Sequence, residues 1–405
     1  MYIVYLAFAI SAILVSCSFS DRIASSYVFK FFCGLIAIAI VSVIAGVRNL
    51  DVSGGTDVLV YGNPIFDFAA NSSTYGEFVN QVQGYNLDIE SGYLLINYLV
   101  SRFTDNPHVY YGLLSFSISS LIFSAGYLIR KNLSPFIFWS TYLLTIYFET
   151  FNLLRQSISM AMILLAVSVL LANPKRKIVS LLIVISAIFF HATAVIGLLI
   201  WLIALLLIKS KRKHRVALVV VIGSIILSVS FGTIFQNFSS FFEESKYQVY
   251  TSSSYGVGRS LGLGALYRIP FVVLLYLSMR SKRPIQPFAN LQFSDSLGEF
   301  QNVKSSSSNV GTRIMALIFL VISLIEAILL PIRLISYPLY RIPLYFGFFR
   351  PFSYSFIAKR FKDKLNIFPL LILVFDFLYL NLLVFGQTDL QYHSDILSSI
   401  ISVSI

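Results

Sequence analysis

Glu149, Asn152, Arg155 and Gln156 place four polar side chains within eight positions of a strongly apolar stretch. Spacings of three and four put Glu149, Asn152 and Gln156 on one face if the segment stays helical. A carboxylate is a candidate proton acceptor, and a guanidinium fork fits phosphate oxygens. His191, some 35 residues on, adds a second candidate base. An Arg at a bilayer edge often only snorkels, and a lone His is often a satisfied core residue. The clustering argues otherwise, because such a group is costly in an apolar segment unless it faces protein or water.

Three further constellations carry polar chemistry. Arg48, Gly54-Gly55-Thr56-Asp57 and Tyr61 follow one apolar run; the glycines allow a tight turn, and Asp57 suits sugar hydroxyls or a cation. Asp88-Ile89-Glu90-Ser91-Gly92-Tyr93 opens a short apolar segment. There the plainer reading is a helix N-terminus, where acids and Ser satisfy free N–H groups, and it suits Asp88 better than Glu90. Near the C-terminal end, Glu326 is a candidate partner for Arg333. Arg333, Tyr337, Tyr340, Arg341 and Tyr345 follow at close to helical spacing. Pro338 and Pro343 should interrupt that helix, which a membrane tolerates only beside protein or a water-filled cavity. Arg341 then needs an anionic partner, and Asp376 is one candidate.

The elements that must hold these groups are membrane helices. The chain of 405 residues is 57% hydrophobic, with mean hydropathy +0.81, so the expected fold class is all-α, a polytopic membrane helix bundle. Hydropathy marks crossings at about 2–20, 29–47, 108–129, 135–151, 156–172, 177–191, 192–208, 215–231, 265–280, 312–330, 332–350 and 366–385, about twelve in all. The whole chain reads as one integral membrane domain. Residues 49–107 form an outer loop, since 49–101 hold no Lys or Arg. Segment 91–103 is too short to cross and reads as a helix in the outer interface. Residues 232–264 form a second outer loop, rich in Ser, Tyr and Gly, and 281–311 an inner, flexible one with a run of four serines.

Loop charge gives the orientation. With both termini outward, 22 of the 30 Lys and Arg fall on the inner side, among them Arg130, Lys175 to Lys177, Arg350 and Lys359. Eight do not: Arg48, Arg102, Arg155, Lys246, Arg259, Arg268, Arg333 and Arg341. Cations held against that bias point to an anionic partner reached from the outer side. The net charge of +12 is mostly inner anchoring, which argues for anionic lipid rather than nucleic acid. Cys17 and Cys33 lie in apolar spans and form neither a disulfide framework nor a zinc site. No phosphate-binding Gly-rich loop, HExxH pair or GxSxG elbow is present, and no metal or cofactor is expected.

Several of these fragments occur together in one known family. Arg48…Gly55-Thr56-Asp57…Tyr61, Glu90-Ser91-Gly92-Tyr93, Phe151-Asn152-Leu153-Leu154-Arg155-Gln156 and Phe190-His191 resemble the EpsG-like branch of the Wzy-type polysaccharide polymerases. The similarity covers about residues 1–210, and more loosely the Tyr-rich loop and Arg341 to Tyr345. It implies a glycosyltransferase fold of the GT-C type in the bacterial inner membrane, with its active site facing the periplasm. The substrate implied is an oligosaccharide repeat unit on undecaprenyl diphosphate, with a chain-length-regulating membrane protein as a further partner. That reaction needs a base for the acceptor hydroxyl and a cation for the leaving diphosphate. Glu149, Glu90 and His191 are the candidates for the base. Arg155, with Arg341 or Arg333, is the expected diphosphate clamp. Arg48, Asp57, Asn152, Gln156, Tyr250, Arg259 and Tyr345 are expected to bind diphosphate or sugar. An O-antigen ligase and a lipid-linked oligosaccharide flippase are the alternative readings; polar groups gathered in the outer half favour chemistry over transport.

Overall fold

The computed structural model describes residues 2–21, 26–51, 57–85, 88–242, 262–280, 304–334, 341–361, 367–381 and 392–394. Among these the chain is helical, with no strand. The helices are α1 (Tyr2–Phe19), α2 (Tyr27–Gly46), α3 (Asn63–Asn71), α4 (Tyr75–Gly84), α5 (Ser91–Ser101), α6 (Pro107–Leu128), α7 (Pro135–Thr145), α8 (Glu149–Asn152) and α9 (Leu154–Ala172). They continue as α10 (Lys177–Ile188), α11 (Ile196–Lys209), α12 (Lys213–Phe242), α13 (Gly262–Arg280), α14 (Lys304–Leu329), α15 (Arg341–Gly347), α16 (Arg350–Phe361) and α17 (Ile367–Tyr379).

Local sequence sets several starts. Pro107 and Pro135 sit in first turns, where a missing N–H costs nothing, and Asn106 caps α6 by accepting from His108 N at 2.9 Å. Thr74 caps α4 by accepting from Glu77 N, and Glu77 reaches back to accept from Ser73 N at 2.8 Å.

Seven helical stretches among the described residues are long and apolar enough to cross a membrane: Tyr2–Phe19, Tyr27–Gly46, Pro107–Leu128, Leu154–Ala172, Ala192–Lys209, Lys213–Phe231 and Gly311–Ile332. They coincide with seven of the twelve expected crossings. The other five expected crossings fall on segments that are shorter, broken or only partly described. The stretch 135–151 breaks after α7, 177–191 is the 12-residue α10, and α13 contains Pro270. Of 332–350, the described parts are the end of a 3-10 turn (Leu330–Leu334), the seven-residue α15, in whose first turn Pro343 sits, and the start of α16; Pro338 lies outside the described residues. The last is α17, of 13 residues. Two expected loops also begin or end differently. Helix α12 runs on to Phe242, and α14 begins at Lys304, so the four serines 305–308 open a helix instead of lying in a linker.

The packing order follows the chain closely at first: α1 lies on α2 and α7, α2 on α6, α6 on α9 and α9 on α10. Later, α13 packs on α14 and α16, and α7 on α16 and α17. Leu154–Ala172 and Gly311–Ile332 are the most enclosed spans, whereas Lys213–Phe231 is nearly bare, so α9 and α14 are the central posts. Polar ties fix the packing. Trp139 Nε1 donates to Ser11 Oγ at 2.7 Å, and that hydroxyl donates to Ala37 O. The basic turns Arg130–Asn132 and Pro174–Arg176 follow α6 and α9, so both helices begin at the opposite end of the bundle. His108 Nδ1 lies 2.6 Å from Gly46 O, which brings the end of α2 there too. The short helices α3, α4 and α5 belong to that far end.

Candidate functional site

The far end gathers segments distant in sequence. The connection leading into α5 carries Glu90. Although Glu90 occupies the N-cap position, its side chain makes no capping bond. Its carboxylate turns instead to α9 and to the break between α10 and α11. Glu90 Oε2 accepts from Arg155 Nη1 at 2.7 Å. Glu90 Oε1 lies 3.0 Å from His191 Nδ1 and accepts from Ala192 N, also at 3.0 Å. The helix-terminus reading of Glu90 therefore gives way to a three-partner ion site.

Gly92 explains how α5 comes so close. Its N–H donates to Phe189 O at 2.8 Å. A Cβ at this position would lie 2.7 Å from that same oxygen, so only glycine fits without a shift.

A second ion pair lies beside the first. Arg341, the first residue of α15, donates from Nη2 to Asp57 Oδ1 at 3.0 Å. The two ends of this pair are tethered to the end of α8 and the start of α9. Gln156 Nε2 donates to Arg341 O at 2.8 Å, and Asn152 Oδ1 accepts from Asp57 N at 3.1 Å. Tyr61 lies beneath Arg155, whose guanidinium carbon is 4.5 Å from the ring centroid. Tyr345, one turn along α15, shares a 2.9 Å hydrogen bond with Thr193, two residues after His191. Thr193 was not foreseen; its only sequence signal is that neighbour.

Electrostatics fixes protonation at the first pair. Burial alone would raise the Glu90 pKa, but the His191 hydrogen bond, the Arg155 charge and the Ala192 amide outweigh it and hold the carboxyl well below its ordinary range. Burial depresses the pKa of His191, Arg155 and Arg341 add to that, and Glu90 pulls the other way; the net shift is downward from 6.5. An ionised carboxylate only accepts, so Nδ1 of the neutral ring carries the proton to Glu90 and Nε2 is the basic nitrogen.

Other expected residues go elsewhere. Glu149 is not on the Arg155 face, because the helix breaks at Leu153, with φ −94° and ψ 53°, between α8 and α9. It is buried and accepts from Tyr379 OH at 3.4 Å. Arg48 is 1% exposed, lying 4.7 Å from the Tyr111 ring and 4.2 Å from the Phe151 ring, with Nη1 donating to Ala45 O. It braces the end of α2. Arg102, also outside the inner set, donates to Ala69 O and stacks on Tyr98.

Two acids of the core take partners that were not expected. Glu326 takes Arg268 and Arg350, each at 2.6 Å, where Arg333 was expected. Arg350 is thereby no inner-face anchor, because a buried carboxylate draws it into the core. Asp376 pairs not with Arg341 but with Thr141 at 2.6 Å and Tyr267 at 2.5 Å. Gly54, Gly55, Thr56, Lys246, Tyr250, Arg259, Tyr337 and Tyr340 lie outside the described residues, as does the side chain of Arg333. Among the described residues no group of His, Cys, Asp and Glu has the makings of a metal site.

At the far end, then, two guanidinium–carboxylate pairs, an imidazole and the amide or hydroxyl side chains of Asn152, Gln156, Tyr61, Thr193 and Tyr345 lie around one spot. Such a set can hold an anion and take up a proton. No curated protein and no solved structure matches the chain. The profile of the EpsG family matches residues 31–394, taking in every residue of this cluster and well beyond the 1–210 stretch where the motifs are clearest. The chain, a multi-pass helical membrane protein, belongs to the EpsG family.

Proposed function

We propose that the protein joins undecaprenyl-diphosphate-linked oligosaccharide repeat units into polysaccharide at the periplasmic face of the bacterial inner membrane. Membership of the EpsG family supports a membrane polysaccharide polymerase. The observation that carries the finer reading is Glu90 bound at once to Arg155 and His191, beside the Arg341–Asp57 pair.

In this reading the acceptor sugar hydroxyl approaches His191 Nε2. The ring takes its proton as the oxygen bonds to the anomeric carbon of the donor. The bond from that carbon to the diphosphate oxygen breaks, and the growing negative charge is met by Arg155 and Arg341. Glu90 orients the imidazole and steadies the imidazolium; ionised and doubly held, it is itself a poor base. Asp57, Asn152 and Gln156 set Arg341 and offer hydrogen bonds to sugar. The Leu95, Leu99 and Phe103 side chains of α5 and its exit are exposed, and Phe189 at the docked α10–α11 break is exposed as well. An apolar stripe of this kind suits an interfacial helix, which would seat the site at headgroup depth. We extend the proposal to the GT-C-type class and to a chain-length-regulating partner on the strength of the family.

The test is the glycan of a deletion strain. Single-repeat product supports a polymerase. Absence of surface repeats would point to a flippase, and long polymer stranded on the lipid carrier to a ligase. Complementation with Arg155→Ala should leave the single-repeat pattern unchanged.

A further inference from the structure

The second polar cluster of the molecule lies deeper, and the reaction outlined above does not use it. Glu326 on α14 receives Arg268 Nε at 2.6 Å and Arg350 Nη2 at 2.6 Å. All three side chains are at most 5% exposed. Taking three charges out of water is costly, and apolar packing is commonly as stable or more so. Such a cluster inside a bundle calls for a role.

Two short rigid pieces run from it to the candidate site. The first is α15. Its last residue, Gly347, is seated on the cluster; a Cβ there would lie 3.1 Å from both Arg350 Nη2 and Glu326 Oε1. Its first residue is Arg341, about 9 Å away at the rise of an α-helix. The second piece is α8. Arg350 Nη1 donates to Tyr379 OH at 3.2 Å, and that hydroxyl donates to Glu149, the first residue of α8. The last residue of α8 is Asn152, whose side chain holds Asp57 N. Both members of the Arg341–Asp57 pair therefore hang from the same buried charges.

We propose that Arg268, Glu326 and Arg350 form a positioning cluster, which sets Arg341 and Asp57 through α15 and α8 for the lipid-linked diphosphate. The inference rests on the reading of Arg341 as a diphosphate contact. It assigns a functional part to three charged residues that touch no substrate.

The experiment is a double-mutant cycle on the full-length protein in nanodiscs, with undecaprenyl diphosphate as the probe. Gly347→Ala presses a methyl against the cluster without removing a charge. Alone it should weaken probe binding about tenfold, within the range measured for coupled residues. In the Arg341→Ala background it should weaken binding no further, because the group it misplaces is gone. Glu326→Gln, paired with Arg341→Ala in the same way, should show the same loss of effect, and provides a second route should Gly347→Ala not accumulate. Equal weakening in both backgrounds, as general loosening of the fold would cause, overturns the positioning role and leaves the site reading intact. No weakening in either background overturns it as well. If Arg341→Ala itself binds the probe like the parent protein, the diphosphate reading of Arg341 fails and the positioning role fails with it.

Discussion

Arg155→Ala should separate chemistry from folding. The guanidinium makes a 2.7 Å bond to Glu90 and stacks over Tyr61. Loss of a charge-assisted bond at a site 10–13% exposed should cost about 1.5–3 kcal/mol of stability. Glu90 keeps His191 and the Ala192 amide, so the protein should fold with a lowered melting temperature. The reaction should lose more. A preorganised donor facing developing negative charge is worth about 3–4 kcal/mol, or a few hundred-fold in rate. The pH profile adds a signed signature. Burial is the chief influence lowering the His191 pKa, and Arg155 contributes in the same direction. In the parent protein the ring should stay neutral, and the acid limb of activity should lie below 6.5. Without Arg155 the Glu90 charge acts on His191 unopposed from that side, so the ring pKa rises and the acid limb moves to higher pH. The assay is extension of lipid-linked repeat units by purified protein in nanodiscs, resolved on gels across pH, with thermal melting as the folding control. A few hundred-fold loss with an upward-shifted limb is expected. A near-parental rate refutes the placement of the reaction at Arg155; a large loss with an unshifted limb refutes His191 as the base.

Arg341→Lys keeps the charge but loses the planar fork, so it should accumulate normally and polymerise poorly; normal long chains from Arg341→Ala would remove it from the site. Glu90→Gln withdraws the charge that raises the His191 pKa, so its acid limb should move to lower pH at reduced rate, the opposite shift to Arg155→Ala. Gly92→Ala meets Phe189 O at 2.7 Å and should cost about 1–3 kcal/mol by overpacking, with a parallel fall in activity that a melting curve would register. For topology, Asn80→Cys and Lys211→Cys, both at exposed positions, can be made with Cys17 and Cys33 changed to Ser; in intact spheroplasts an impermeant thiol reagent should label the first and spare the second.

The helical membrane class, seven spans and most members of the cluster were legible in the sequence. Hydropathy reports on long uninterrupted helices, and those are the seven that coincide. It fails where a helix breaks, because the apolar run continues through the break: α7 and α8 read as one crossing although the backbone at Ile146 ends the first, and the backbone at Leu153 then parts α8 from α9. That break also sends Glu149 away from Arg155, which helical spacing could not foretell. Arg155, His191, Glu90 and Asp57 were legible because a polar residue in an apolar context is conspicuous. Their pairing was not, since Glu90 and Arg155 are 65 residues apart and Asp57 and Arg341 are 284. Charge counting misassigned Arg350 because it places a residue by its neighbours in sequence, whereas a single carboxylate, Glu326, decides its place in space.

The separation of Asp57 from Arg341 has a consequence in time. At ribosomal rates of about 5–20 residues per second, the 284 positions between them take roughly 15–60 s to make. In the course of that interval the nascent chain, already holding Asp57, gains Glu90, Arg155 and then His191, but not Arg341. Half the site can close on itself early, through Glu90, while Asp57 waits without its arginine. A chain that has not yet reached Arg341 thus cannot form the second pair, and until then only the Glu90 half of the cluster can assemble.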